Sequence, residues 1–190
     1  YYGSFSDYAS RLGYANSYGE HAAEIAVLMP TTSVFSEYAL RHEFWNCIKP
    51  FEERPYGDLD ITEATLHGVT NALLAIQRDY DLIHEPSFLE AEVSENGELL
   101  FRGHAYKQLF IPSALDLTGA VFDKLAELIR AGGRVCFVNF VPAWSPDRGS
   151  LAAEMEELTG IALQEHEAEV RRAFANRKDA YWKAYGSGAV

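Results

Sequence analysis

Four short stretches hold the residues whose types and spacing lend themselves to chemistry: Pro30-Thr31-Thr32-Ser33, His84-Glu85-Pro86, Ile111-Pro112-Ser113 and Asn139-Phe140-Val141-Pro142-Ala143-Trp144. A turn rich in hydroxyls can hold a phosphate or the hydroxyls of a sugar. A histidine beside a carboxylate can carry a proton, and a tryptophan can stack on the apolar face of a sugar ring. The candidate ligand-binding residues are therefore Thr31, Thr32, Ser33, His84, Glu85, Ser113, Asn139 and Trp144. The same residues have plainer uses. Hydroxyls that follow a strand also cap the next helix, and the sequence favours that use for Thr31 to Ser33.

Familiar catalytic devices are missing around these stretches. Neither GxGxxG nor GxxxxGK[ST] follows the first apolar run, so a glycine cradle for phosphate is not encoded. A flavin phosphate would have to rest on Thr31, Thr32 and Ser33 alone. A nucleophile elbow needs glycines around Ser or Cys, whereas Ser113 stands between Pro112 and Ala114, and Cys136 lies inside the apolar run Val135 to Val138. The six histidines show no HExxH or paired spacing, and Glu85 has no visible partner carboxylate for glycosidic chemistry. No catalytic residue, metal ligand or cofactor is assigned.

Composition narrows the partners. With 16 Lys and Arg against 28 Asp and Glu, the net charge is −12, and no basic strip exists to neutralise successive phosphates. Nucleic acid and anionic membranes are excluded as expected partners. Clusters such as Glu154/Glu156/Glu157 and Glu165/Glu167/Glu169 read as solvated helix faces. The two cysteines, Cys47 and Cys136, make no disulfide framework, which tips the expected compartment toward a reducing one such as the cytoplasm. The opening YYGSFSDY is no signal peptide and lacks an initiating Met, so the chain is read as a piece of a longer polypeptide.

These stretches must be positioned by the elements before them. Apolar runs at Glu24–Met29, Asp81–Glu85, Gln108–Ile111 and Arg134–Phe140 are short and stopped by prolines, as buried strands are. Helices are expected over the first twenty residues, Val34 to Lys49 with Ser33 as cap, Asp60 or Thr62 to Ile76, Thr118–Arg130 before Gly132-Gly133, Leu151–Leu158 and Gln164–Tyr185. Leu66, Val69, Leu73, Leu74 and Ile76 are assigned to one buried face. AEVSENGELLFRG reads as a hairpin turning at Asn96-Gly97. Strands alternating with amphipathic helices predict an α/β fold, a doubly wound, mostly parallel open sheet, with an inserted hairpin and a C-terminal helix. The expected divisions are a helical lead-in over 1–22, the α/β unit over 23–162 and a helical tail over 163–190. In such a sheet ligands bind at the carboxyl ends of the strands, which is where all four stretches fall.

The order of AEIAVLMPTTSVF, DYDLIHEPSFLEAEV, ENGELLFRG, YKQLFIPSALDL and LAELIRAGGRVCFVNFVP resembles the amidotransferase-like, flavodoxin-like domain that follows the catalytic barrel in large bacterial glycoside hydrolases. The kinds it resembles are the α-L-rhamnosidase type and, more distantly, the β-galactosidase trimerisation domain. The resemblance runs from about Tyr8 to Ile161 and implies a non-catalytic accessory domain of a carbohydrate-active hydrolase, for assembly or for shaping a neighbouring active site. Its implied partners are the barrel of the same polypeptide, further copies of the chain and carbohydrate. The missing cysteine elbow speaks against glutamine hydrolysis. A module that binds a sugar or nucleotide in the strand-end crevice is the competing expectation.

Overall fold

The structure is a computed structural model and describes residues 2–19, 22–37 and 58–186, with side chains as far as Phe174. Helix α1 (Tyr2–Asn16) comes first, and none of its residues is buried. Strand β1 (Ile25–Met29) buries its three central residues. Helix α2 (Thr31–Glu37) follows at once. The rest of the helix expected to run to Lys49, and most of the loop expected from Phe51 to Asp60, lie outside the described residues.

Helix α3 (Asp58–Ala75) buries Ile61, Thr62, Thr65, Val69 and Leu73. This corrects the expected face, because Leu74 and Ile76 are 62% and 66% exposed. Strand β2 (Asp81–His84) leads into α4 (Glu85–Glu90) without a loop. Pro86 starts this helix as much as it stops the strand: its fixed φ and missing N–H suit the first turn. The His84 imidazole caps that turn by accepting the Ser87 N–H.

The inserted element is larger than a hairpin. Strands β3 (Glu92–Val93), β4 (Leu99–Phe101) and β5 (His104–Tyr106) form a three-stranded antiparallel meander. Its first turn passes through Gly97 at φ 74°, and a side chain there would collide with the backbone of Gly132 and Gly133. The second turn uses Arg102 and Gly103, both left-handed, at φ 48° and 86°. Strand β6 (Gln108–Pro112) carries its proline inside the strand. The pairing of β1 with β6 ends at Val27 and Phe110, so the absent N–H of Pro112 costs the ladder nothing.

Helix α5 (Gly119–Arg130) is capped by the Thr118 hydroxyl and closed by Gly132 at φ 83°, with Gly133 N–H donating to Leu128 O at 2.9 Å. Strand β7 (Arg134–Val138) precedes a small hairpin of β8 (Trp144–Ser145) and β9 (Gly149–Ser150). Helices α6 (Ala152–Thr159) and α7 (Leu163–Gly186) complete the chain.

The fold is α/β with a parallel sheet in the order β2-β1-β6-β7. Alternation along the strands sends Ala26, Leu28, Leu109 and Ile111 to one face, where they join Phe88, Val121, Leu125 and Met155 in the main core. The other face presents Val27 to Val69 and Leu73 of α3. Covered on both faces, the central strands bury most of their residues, which is why they read as continuous apolar runs.

Candidate functional site

Strand β1 is followed in sequence by β2 on one side of it, whereas β6 and β7 lie on the other. The reversal opens a crevice at the carboxyl ends of β1 and β6, the usual ligand site of an open α/β sheet. Here Ser33 occupies it. Its side chain is 2% exposed; the hydroxyl donates to Asp116 O at 2.9 Å and accepts from Leu115 N and Asp116 N at 2.9 and 2.8 Å. One oxygen thus satisfies three backbone groups of the loop after β6. The Ser36 hydroxyl donates to the Asp116 carboxylate and fastens α2 a second time.

The capping role expected of Ser33 is therefore corrected. Helix α2 begins two residues earlier, with Val34 N–H donating to Pro30 O at 3.0 Å, and Ser33 points across the chain rather than along its own helix. Thr31 donates to Met29 O at 3.2 Å. Thr32 grips Glu85: its N–H donates to Oε1 at 2.8 Å and its hydroxyl to Oε2. Glu85 is 5% exposed, and a carboxylate so enclosed requires donors on its oxygens. His84 stays exposed, its Nδ1 accepting the Ser87 N–H at 3.3 Å, which leaves the ring proton on Nε2.

A second polar group closes the ends of β6 and β7. Ser113 and Asn139 both take left-handed backbone, at φ 48° and 66°, a conformation Asn accepts readily and Ser less so. Ser113 N–H donates to Val138 O at 2.8 Å, and its carbonyl accepts from Thr62 Oγ1 at 2.9 Å. Asn139 Nδ2 donates to Thr65 Oγ1 at 2.6 Å. Asn139 O receives His166 Nε2 at 2.6 Å, so that nitrogen carries a proton. The Ser113 hydroxyl is fully buried and makes no hydrogen bond.

Helix α7 seals this side. Leu163 and Val170 are buried, and Val170 packs with Ile61 and Phe140. The Arg171 guanidinium lies over the Phe140 ring at 5.0 Å and pairs with Asp58 and Glu167. The hydrogen bond to Asp58, reinforced by Glu167, holds that guanidinium even further above neutrality than arginine's ordinary range.

The predicted residues thus fall into three sets. Thr32 and Glu85 meet directly; Ser33 is joined to the loop that follows Ser113; Asn139 is joined to α3 and α7. Trp144 stands apart, 53% exposed in β8, with its backbone bonded to Leu115 and Leu117. Sequence reasoning missed Thr62, Thr65, Asp116 and His166. The two threonines carried a signal: polar residues three apart on the apolar stripe of a helix must find acceptors when buried.

Chemically this arrangement is committed to itself. Both Glu85 oxygens are engaged by Thr32, while His84 Nδ1 takes the Ser87 N–H and His166 Nε2 bonds the Asn139 carbonyl, so these imidazole nitrogens are turned to backbone groups. Among the described residues no three His, Cys, Asp or Glu side chains converge as a metal site.

No family model matches the sequence. Curated proteins give no match. Among solved structures, the chain is similar to a β-galactosidase from Bifidobacterium adolescentis, at 15% identity and a TM-score of 0.46, over 74% of this chain and 54% of that one. The chain spans about half the length of that protein.

Proposed function

We propose that this chain is a non-catalytic α/β accessory domain of a carbohydrate-active glycoside hydrolase, of the α-L-rhamnosidase type or akin to the β-galactosidase trimerisation domain. It serves assembly or the shaping of a neighbouring active site, and its partner in the same polypeptide is the catalytic barrel. The observation that carries this reading is at the switch point: Ser33, Ser36 and Asp116 hydrogen-bond to one another where open α/β sheets usually bind ligands. The ordered segments that resemble such domains supply the hydrolase context. Surface for a partner is available on α1, where Phe5, Tyr8 and Leu12 share one face and are 65%, 64% and 47% exposed.

One feature favours a second reading, a small-molecule module: the buried Ser113 hydroxyl without a hydrogen bond. Two measurements on the isolated chain separate the readings. Aryl rhamnosides and galactosides should remain intact, and sugars, nucleotides and flavins should leave the melting temperature unchanged. Turnover that Glu85→Gln abolishes would sink the accessory role. A ligand-dependent rise in melting temperature that Ser113→Ala removes would establish the binding module instead.

A further inference from the structure

The two edges of the parallel sheet are built differently. Strand β2 is four residues long, begins with Asp81, ends with His84 and runs straight into α4. Charge and brevity of that kind keep other strands away. Strand β7 is five residues long, and after its first residue it is apolar. Its residues Val135, Cys136, Phe137 and Val138 are apolar, and all four are left partly exposed, whereas β1 and β6 bury most of theirs. Among the described residues no strand pairs beyond it. Its single charge is Arg134 at the entry.

We infer that the β7 edge is an interface for a second copy of this chain, with β7 pairing antiparallel to its counterpart about a two-fold axis at Cys136. The register follows from the backbone. Val138 O faces β6, where it accepts the Ser113 N–H, and alternation then turns the N–H and C=O of Val135 and Phe137 outward. In an antiparallel pair these two residues exchange both hydrogen bonds with each other across the axis, and Cys136 meets its counterpart in the intervening non-bonded position. Arg134 falls opposite Val138, so no like charges oppose one another. In a chain of net charge −12, this strip of one positive and four neutral residues lets two copies approach without facing carboxylates. The same patch serves both subunits, as a two-fold interface requires.

This inference shares the assembly role of the proposed function and gives it a surface. The test uses the full chain carrying Cys47→Ser, light scattering across a range of concentrations, and mild oxidation. Burial pushes the Cys136 thiol up, so the oxidation is run at alkaline pH. Opposed Cα atoms about 4.5 Å apart lie within disulfide reach. The expected result is a mass that doubles with concentration, and a reducible covalent dimer linked through Cys136. Val135→Pro, which removes an outward N–H, and Cys136→Lys, which opposes like charges, should each give a monomer with an unchanged circular dichroism spectrum. A chain that stays monomeric and unlinked overturns the interface, as does a dimer that survives both substitutions. Glycoside turnover by the isolated chain would overturn the accessory role instead, so the two failures are distinguishable.

Discussion

The two ends of the parallel sheet are closed by opposite means. At the carboxyl end, Ser33, Thr32 and Thr62 hydrogen-bond to buried backbone or carboxylate groups, Asp116 O, the Glu85 carboxylate and Ser113 O, and Asn139 bonds to Thr65. At the amino end, Lys107 pairs with Glu24 in the open, and the Tyr106 phenol donates to Asp81 Oδ2 at 2.8 Å. Buried groups that lose a partner bear the full desolvation penalty, whereas exposed ones fall back on water. The carboxyl end of the sheet is thus held chiefly by hydrogen bonds to buried groups.

The difference can be broken most sharply at Ser33. Ser33→Ala strands Leu115 N, Asp116 N and Asp116 O together, and a loss of about 2–3 kcal/mol is expected from denaturant melts at neutral pH. A cost near zero would mean that the crevice is not a closed network.

Tyr106 gives an intermediate case at the amino end. It is 4% exposed; burial, then the hydrogen bond to Asp81, raises its phenol from 10.0 to about 12. The folded chain therefore keeps this proton over an interval in which the unfolded chain has released it. The stability it contributes is complete below pH 10 and is lost as pH rises through about 12. Tyr106→Phe should cost about 1 kcal/mol at neutral pH and flatten the alkaline limb of the stability curve. An unaltered alkaline limb would show that the phenol is not held.

The smallest effect is expected at Lys107. Lys107→Ala removes an ion pair whose side chains are both more than half exposed, so its melt should coincide with the parent's in salt and differ only slightly without it. A large loss there would erase the contrast between the two ends.

The legible part of this molecule was whatever depends on local pattern. The four strands of the parallel sheet, the helix from about Thr118 and Gly132-Gly133 as its stop are all local signals, and the α/β class follows from them. Asn96-Gly97 marked the first turn of the insert, but Arg102-Gly103 hid the second, because arginine seldom takes left-handed backbone, and β5 was missed with it. Leu74 and Ile76 were assigned to the core by residue type, when the register of α3 is fixed by Thr62 and Thr65 reaching Ser113 and Asn139. The candidate residues stand at the strand ends, but their hydrogen-bond partners could not be read from sequence. Ser33 was read against its neighbours in sequence, and its partners lie 82 and 83 positions away.

That separation bears on how the chain reaches its native state. Strand β1 is central, yet its pairing with β6 joins Ile25 to Gln108, and its other neighbour begins only at Asp81. As the chain is synthesised from its amino end, an apolar segment with no strand partner must wait while more than fifty residues are added. Long-range pairings of this kind slow folding and prolong the exposure of sticky segments. Chaperone demand should therefore be set by Ile25–Met29, and it should end when Gln108–Pro112 arrives.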